Sequence, residues 1–562
     1  MTTETVDERP ALAHGQILAL MGGLMTGMLL AALDQTIVGT AMPTIVGKLG
    51  GLDHYSWVVT AYLLASTAST PLYGKLSDLY GRRPLLRFAI VTFVIGSLLA
   101  GMSQTMTQLI AFRGIQGLGA GGLMALSFTI ISDVLAPRDR ARYQGLFGAV
   151  FGLSSIAGPL LGGYFAEHDW RWIFFINLPL GILALFVTDR VLRLVPHHRR
   201  EHTVDYLGAV VMVAGVVALL LATSWGGIEY PWSSPLIIGL LVAGLTLSVA
   251  FVVVESRVRE PILSLSLFRR RTFALGNAGA FVFGLGMFGS IIFVPMYLQV
   301  VKGTSPTDSG LLMVPMMAGV IITSIVTGRA ISRIGRYKWA TVSGAVVTTT
   351  GMLLFAQLDV DTPLWLAFCY MVVLGIGIGL SMQSLLLAVQ NSLALSEMGA
   401  GTSSVAFFRS LGGSFGVATL GAVLTARVDH WMAKLMPGAL AELPVGAAER
   451  LPSGSNRELL NEPSAIMALP EPIRAVIQES FVTGLGTVFL VCAGVALVAV
   501  VITALMPNQV LQGGTGKPPR ATGPAPDAES TAAQAQVGAL TGTTTGTTGS
   551  DQQPLHDGDP GH

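Results

Sequence analysis

The stretch Gly74-Lys75-Leu76-Ser77-Asp78-Leu79-Tyr80-Gly81-Arg82-Arg83 returns later in the chain as Gly328-Arg329-Ala330-Ile331-Ser332-Arg333-Ile334-Gly335-Arg336. Both stretches follow an apolar run and place basic residues around two equally spaced glycines. The offset that carries Gly74 onto Gly328 also carries Gly158 onto Gly412 and Gly162 onto Gly416. A basic hairpin and a glycine-rich segment that recur at one offset mark an internal duplication. Of the 562 residues, 52% are hydrophobic and only 12% are charged, about half the charge of an average soluble domain. About fourteen apolar stretches, each of about 20 residues and so able to cross a ~30 Å hydrocarbon core, fill the chain between 16 and 506. The expected fold is an all-α polytopic membrane protein built as a duplicated helical bundle, an arrangement typical of transporters.

Several functions are excluded at this stage. The first span is flanked by Glu4, Asp7 and Glu8 and lacks a small-residue cleavage site, so it reads as a retained helix rather than a signal peptide. The two cysteines, Cys369 and Cys492, both lie in apolar runs and imply neither a disulfide framework nor a thiolate metal site. A net charge of +1 points away from nucleic acid. The tail segment Gly513-Gly514-Thr515-Gly516-Lys517 lacks the first glycine of a phosphate loop and runs into Pro518. Neither ATP hydrolysis nor other catalysis is expected, and no cofactor or metal is implied.

Arginine and lysine orient the spans. Lys75, Arg82, Arg83 and Arg87 follow the second span, and Arg138, Arg140 and Arg142 follow the fourth. Arg199 and Arg200, then Arg269 to Arg271, then Arg333, Arg336 and Lys338 continue the alternation, while the other short loops offer little beyond Lys48, Arg171 and Lys302. Cytoplasmic loops collect positive charge, so these turns and both termini are expected on the cytoplasmic side of a cell membrane. The repeat equates span two with span ten and span five with span thirteen. It divides the chain into a cytoplasmic tail (1–15), a six-helix half (16–196), two inserted helices (204–256), and a second six-helix half (272–506) with a long extracellular loop at 429–479. Trp431, Met432 and Leu435 suggest short interfacial helices in that loop. Residues 507–562, rich in Gly, Thr, Ser, Pro and Gln beyond Gly513, are expected to be a disordered cytoplasmic tail.

Charge at a helix centre in a bilayer costs roughly 2.5–3.5 kcal/mol even on a lenient scale, so each instance needs a reason. Asp34 in span one and Arg113 in span four lie at comparable depth, and an ion pair between them is expected. One reading is a static bridge locking the two spans. The other is a proton-coupling pair, in which Asp34 takes a proton when its partner departs. Arg409 in span thirteen is the other mid-membrane charge, read as snorkelling or bonding carbonyls. Near the arginine-rich ends, Asp78 and Arg82 lie one helical turn apart, with Asp133 at the end of span four. Topology alone accounts for the arginines but not for Gly74, Gly81 and Asp78 among them, so Gly74, Asp78, Gly81, Arg82, Arg83 and Asp133 are read as a cytoplasmic latch between the halves. In span five, Gly152, Gly158, Pro159, Gly162 and Gly163 read either as a tight packing face or as a bending gate. Polar candidates for cargo contact are Gln35, Gln116, Tyr297, Gln299, Gln383, Gln390 and Asn391, with Gln383 and Gln390 sharing a helix face. Methionines 21, 25, 28, 313, 316 and 317 read as packing residues or as an adaptable apolar wall.

These residues resemble a known family. Leu33-Asp34-Gln35-Thr36-Ile37-Val38 with Ala41-Met42-Pro43, the Gly74–Arg83 stretch, Arg113-Gly114-Ile115-Gln116-Gly117-Leu118-Gly119 and Gly158-Pro159-Leu160-Leu161-Gly162-Gly163 are similar to signatures of the fourteen-span drug:proton antiporters of the major facilitator superfamily. Trp170-Arg171-Trp172-Ile173-Phe174-Phe175-Ile176-Asn177-Leu178-Pro179 resembles the segment that marks the fourteen-span branch, and Tyr297-Leu298-Gln299 with Pro315 also fits. The resemblance covers about 16–506. It implies export of hydrophobic or amphipathic, often cationic, small molecules (drugs, antibiotics, dyes) in exchange for protons, by rocking of two halves in a monomer. It also implies coupling at Asp34 and Arg113, a latch at Asp78, Arg82 and Asp133, and a gate at Gly158 and Pro159. The second half lacks the central acids of dication exporters, and loop 429–479 exceeds the family's usual length. Two rival readings remain: a same-fold exporter of a lipid or an endogenous secondary metabolite, and a non-transporting membrane ligand sensor.

Overall fold

The computed structural model describes residues 14–49, 55–193, 205–227, 229–258, 260–441, 466–467 and 469–511. Among them the regular structure is helical, with only two isolated β-bridges, Gly226 to Tyr230 and Arg336 to Val510. The helices are α1 (His14–Leu49), α2 (Tyr55–Tyr80), α3 (Arg82–Gly101), α4 (Met106–Val134), α5 (Pro137–Glu167), α6 (Trp172–Leu192), α7 (Tyr206–Trp225), α8 (Pro235–Glu255), α9 (Arg271–Val300), α10 (Thr307–Ile334), α11 (Lys338–Phe355), α12 (Leu364–Asn391), α13 (Met398–Ala441) and α14 (Glu471–Leu505). Among the described residues, 12 helices are long and apolar enough to cross a membrane. The two left out are α2, diluted by Ser66, Thr67, Ser69 and Thr70, and the shorter α11 with its Thr348-Thr349-Thr350 run.

The packing repeats as the sequence does. In the first part of the chain α2 and α3 both pack on α4, α1 packs on α5 and α6, and α3 packs on α6. In the second part α10 and α11 both pack on α12, α9 packs on α13 and α14, and α11 packs on α14. Between the two, α5 packs against α10 and α2 against α13, while α7 and α8 pair with each other and α7 touches α2 and α13.

The duplicated glycines have two separate jobs. Gly81 (φ 94°) and Gly335 (φ 74°) occupy left-handed backbone that side-chain-bearing residues avoid, and each ends its helix so the chain can turn back. Gly74 and Gly328 instead sit at helix crossings. A Cβ on Gly74 would stand 2.7 Å from the Gly399 carbonyl oxygen, and one on Gly328 2.3 Å from that of Ala141. The repeated stretch therefore encodes a close crossing and, about two helical turns further on, a tight turn.

Two boundaries differ from the sequence expectation. Residues 429–441 are helix and not loop, because α13 runs 44 residues through Trp431, Met432 and Leu435. Val428 and Met432 keep one face buried against the second half's core, so nothing ends the helix where the charged residues begin. Helix α14 begins at Glu471, which also removes 471–479 from the expected loop. Residues 442–465 lie outside the described residues. The tail expectation also shifts, since residues 507–511 are held: Leu511 N–H donates to the Gly335 carbonyl at 2.9 Å, and the Tyr337 hydroxyl donates to the Pro507 carbonyl at 3.3 Å. Residues 1–13 and 512–562 lie outside the described residues.

Candidate functional site

Asp34 and Arg113 meet inside the first bundle. The carboxylate accepts directly from Arg113 Nη1, and both residues are 1% exposed. Gln116, one turn along α4 from Arg113, donates to Asp34 Oδ1 at 2.7 Å, and Asn177 of α6 donates to the same oxygen at 3.1 Å. Arg113 is itself saturated. Its Nη1 also donates to Gln116 Oε1 at 3.0 Å, its Nε to the Val58 carbonyl at 3.4 Å, and its guanidinium lies 4.2 Å over the Tyr62 ring. Tyr62 in turn donates to the Ala31 carbonyl at 2.9 Å, and Ser97 receives Asn177 Nδ2 at 3.0 Å. Leu33, Ile37, Val58, Leu109, Ile173 and Phe174 close an apolar shell around the group. A buried ion pair is tolerable only when its remaining bonds are met, and nearly all are met here. Asn177 Oδ1, which has no partner, is the exception.

At the arginine-rich end, charged side chains address helix ends. Arg82 holds Asp78 at 2.6 Å and Asp133 at 2.6 Å. Asp78 then accepts from the backbone N–H groups of Gly399 (3.2 Å) and Ala400 (3.0 Å), at the first turn of α13. A carboxylate there satisfies orphan donors and meets the positive end of the helix dipole. Across the bundle Arg138 of α5 does the converse, donating to the last carbonyls of α10, Ser332 at 2.6 Å and Arg333 at 2.9 Å. Arg140, fully buried, donates to the Ser132, Leu135 and Gln390 oxygens; Gln390 also receives Gln144 at 2.8 Å and donates to Thr402 at 3.2 Å. Arg83 stands apart from this group. With Arg87 and Arg193 it binds Asp189 of α6, within the first bundle.

The glycines of α5 contact two different neighbours. Gly158 and Gly162 admit α1, because a Cβ on Gly158 would stand 2.1 Å from Thr36 Oγ1 and one on Gly162 2.7 Å from the Ile37 carbonyl oxygen. Thr36 Oγ1 donates to the Ser154 carbonyl at 3.0 Å, just before the Pro159 turn. Gly152 faces Ile321 of α10, Gly163 faces Thr307, and Pro159 packs against Gly310. Helix α5 thus touches α1 two residues from Asp34 while its other faces touch α10.

The remaining polar candidates are dispersed. Gln116 belongs to the Asp34 group and Gln390 to the Arg140 group. The Tyr297 hydroxyl donates to the Asp359 carbonyl at 3.1 Å, and Gln299 donates to Ser309 Oγ at 2.8 Å. Asn391 lies at the opposite end of that half beside Arg270 and Arg271, lining a cavity of about 550 Å³. Gln35 is half-buried. Gln383 is buried with neither amide atom bonded. Sequence reasoning missed Tyr62, Ser97, Asn177, Arg138, Arg140 and Gln144 as contributors. Asn177 stood within a quoted motif, while the arginines were read only as topology signals. Among the described residues, no group of three or more His, Cys, Asp and Glu could hold a metal.

Residues 24–417 match the family described as Major Facilitator Superfamily. The chain is 41% identical over 489 residues to "Multidrug transporter protein MdtP" of Bacillus subtilis, covering 84% of this chain and 89% of that protein. It is 37% identical over 485 residues to "Multidrug resistance protein 3" of the same organism, covering 86% of this chain and 93% of that protein. The solved structure of the "proton:xylose symporter XylE" superposes with a TM-score of 0.56 over 88% of this chain and 98% of that one. At 13% identity that likeness concerns the fold alone.

Proposed function

The chain belongs to the major facilitator superfamily, as a multi-pass membrane transporter and not an enzyme, and from that premise we propose that it exports hydrophobic or amphipathic small molecules in exchange for protons. The observation that carries this reading is the Asp34–Arg113 pair, sealed inside the first bundle with Gln116 and Asn177. A carboxylate this enclosed can be neutralised only by a proton, and losing its charge frees Arg113 and the two amides to rearrange. Thr36 lies two residues away on α1 and touches Gly158 and the Ser154 carbonyl, so a shift of α1 is passed to α5 and from there to α10.

In the proposed cycle fourteen spans form two six-helix halves with α7 and α8 inserted between them, both termini lying in the cytoplasm and the chain working as a monomer. Asp78 of α2, bonded to the start of α13, with Arg82, Asp133, Gly74 and Gly81, and Arg138 of α5, bonded to the end of α10, hold the cytoplasmic side shut. A proton arriving from outside neutralises Asp34 and releases cargo outward; its departure to the cytoplasm recharges the site. One charge moving across ~150 mV supplies about 3.5 kcal/mol, enough for a gradient of a few hundredfold in a neutral compound. Multidrug relatives support cargo of this kind. The test uses proteoliposomes with an imposed pH gradient and a fluorescent amphiphile. Asp34→Asn is expected to lose proton-driven accumulation while retaining downhill exchange, and unchanged accumulation would defeat the coupling role.

A further inference from the structure

One charge in the second half has no part in this cycle. Arg409 lies eleven residues inside α13, about 16 Å from the helix start at 1.5 Å per residue, farther than its side chain extends, so it does not reach the arginine-rich end. Nor does it bond carbonyls: among the described residues its side chain has no hydrogen bond or ion pair. It is half-buried, and its backbone is pressed on Gly284 of α9, where a Cβ would stand 2.1 Å from the Arg409 carbonyl oxygen.

Gln383 of α12 also lacks side-chain partners and is more deeply buried than Arg409. It is 4% exposed, and both its Oε1 and its Nε2 lack partners. The Gln390–Thr402 hydrogen bond at 3.2 Å sets the register of α12 against α13. Moving seven residues, two turns, away from the arginine-rich end on each antiparallel helix reaches Gln383 and Arg409. They therefore share one level, on the faces that carry Gln390 and Thr402. Between their ends α9, α11, α12 and the first 31 residues of α13 contain no Asp or Glu. Those helices supply no counter-charge, and the buried Gln383 amide, left without partners, is costly. A guanidinium offers planar, paired N–H donors matched to carboxylate, sulfonate or phosphate oxygens.

We propose that Arg409 and Gln383 are the anion-recognising end of the cargo site, so that the preferred cargo is an amphipathic monoanion whose charged head takes the bonds these two side chains lack. This rests on the export reading, and it departs from the cationic cargo that the family resemblance implies. It also changes the electrical balance. One proton entering as one monoanion leaves moves two charges in the same sense, so turnover should be driven by membrane potential even with no pH difference.

The test uses the full chain in proteoliposomes under a potassium-diffusion potential, with the sulfonate 8-anilinonaphthalene-1-sulfonate and the cation ethidium as probes, alongside equilibrium binding of both to protein in detergent. The wild type is expected to prefer the sulfonate at least tenfold. Arg409→Gln should lower the sulfonate-to-ethidium ratio at least tenfold, Arg409→Lys should restore most of it, and Gln383→Leu should lower it severalfold. Equal loss of both probes in Arg409→Gln, with no rescue by lysine, would overturn the proposal as a folding effect; an unchanged ratio would overturn it outright. If the wild type moves neither probe under any gradient, the export reading fails. Arg409-dependent sulfonate binding would still sustain the site, and its absence would remove that too.

Discussion

Two arginines deep in their helices, Arg113 in the first bundle and Arg409 in the second, are treated in opposite ways. Arg113 has a carboxylate, an amide, a carbonyl and two aromatic rings around it, and the acid it faces is held by that same amide, Gln116, and by Asn177. Arg409 has none of these. The first bundle closes its charge chemistry on itself, which suits a group that must change state only by gaining or losing a proton. The second leaves valences open, which suits a group completed by something from outside the chain.

Four experiments bear on that contrast. The largest effect is expected from Asp34→Ala, which strands Arg113 in an apolar shell and should cost about 3–5 kcal/mol of stability. Thermal unfolding in detergent measures it, and Asp34→Ala combined with Arg113→Met should recover much of the loss. No destabilisation would mean that the first bundle is less closed than its bonds indicate. Next, Asn177→Ala removes a hydrogen bond to an ionised carboxylate and should cost about 1.5–3 kcal/mol by the same measurement, with the pH dependence of transport shifted.

Gln383→Glu gives the second bundle an acid at the level of Arg409. Sulfonate transport should fall about tenfold, equivalent to about 1.4 kcal/mol, while unfolding temperature holds or rises; undiminished sulfonate transport would erase the distinction between the bundles. The smallest effect belongs to Asp78→Asn, which weakens the contact with the α13 N-terminus by about 1 kcal/mol. That should raise the population open at the arginine-rich end about fivefold, read from spin-label distances across α2 and α13 in a chain whose Cys369 and Cys492 are both replaced by serine.

Much of this was legible in the residues. Span content and spacing gave the bundle, the offset of Gly74 and Gly328 gave its duplication, and depth along two spans brought Asp34 to Arg113. Gln116, read as a cargo contact, instead bonds both members of that pair. What failed to read was partner choice. Helical spacing tells which side chains share a face but not which helix that face meets, so Tyr297, Gln299, Gln383 and Asn391 looked alike and lie in four different settings. Arg138 and Arg140 were masked by the abundance of basic residues at that end, where topology already explained them. The length of α13 was hidden because polar residues after Arg427 resemble a loop, although Val428 and Met432 continue its buried stripe.

That length has a mechanical meaning. At 44 residues α13 is a rod about 66 Å long, pinned at its first turn by the carboxylate of Asp78. A tilt of about ten degrees around that pivot sweeps the far tip through about 11 Å, by the same rise per residue. Arg409, a quarter of the way along, travels only a few ångströms. As far as Pro437, such a lever can therefore open a wide vestibule at one surface while the cargo's anchor scarcely shifts.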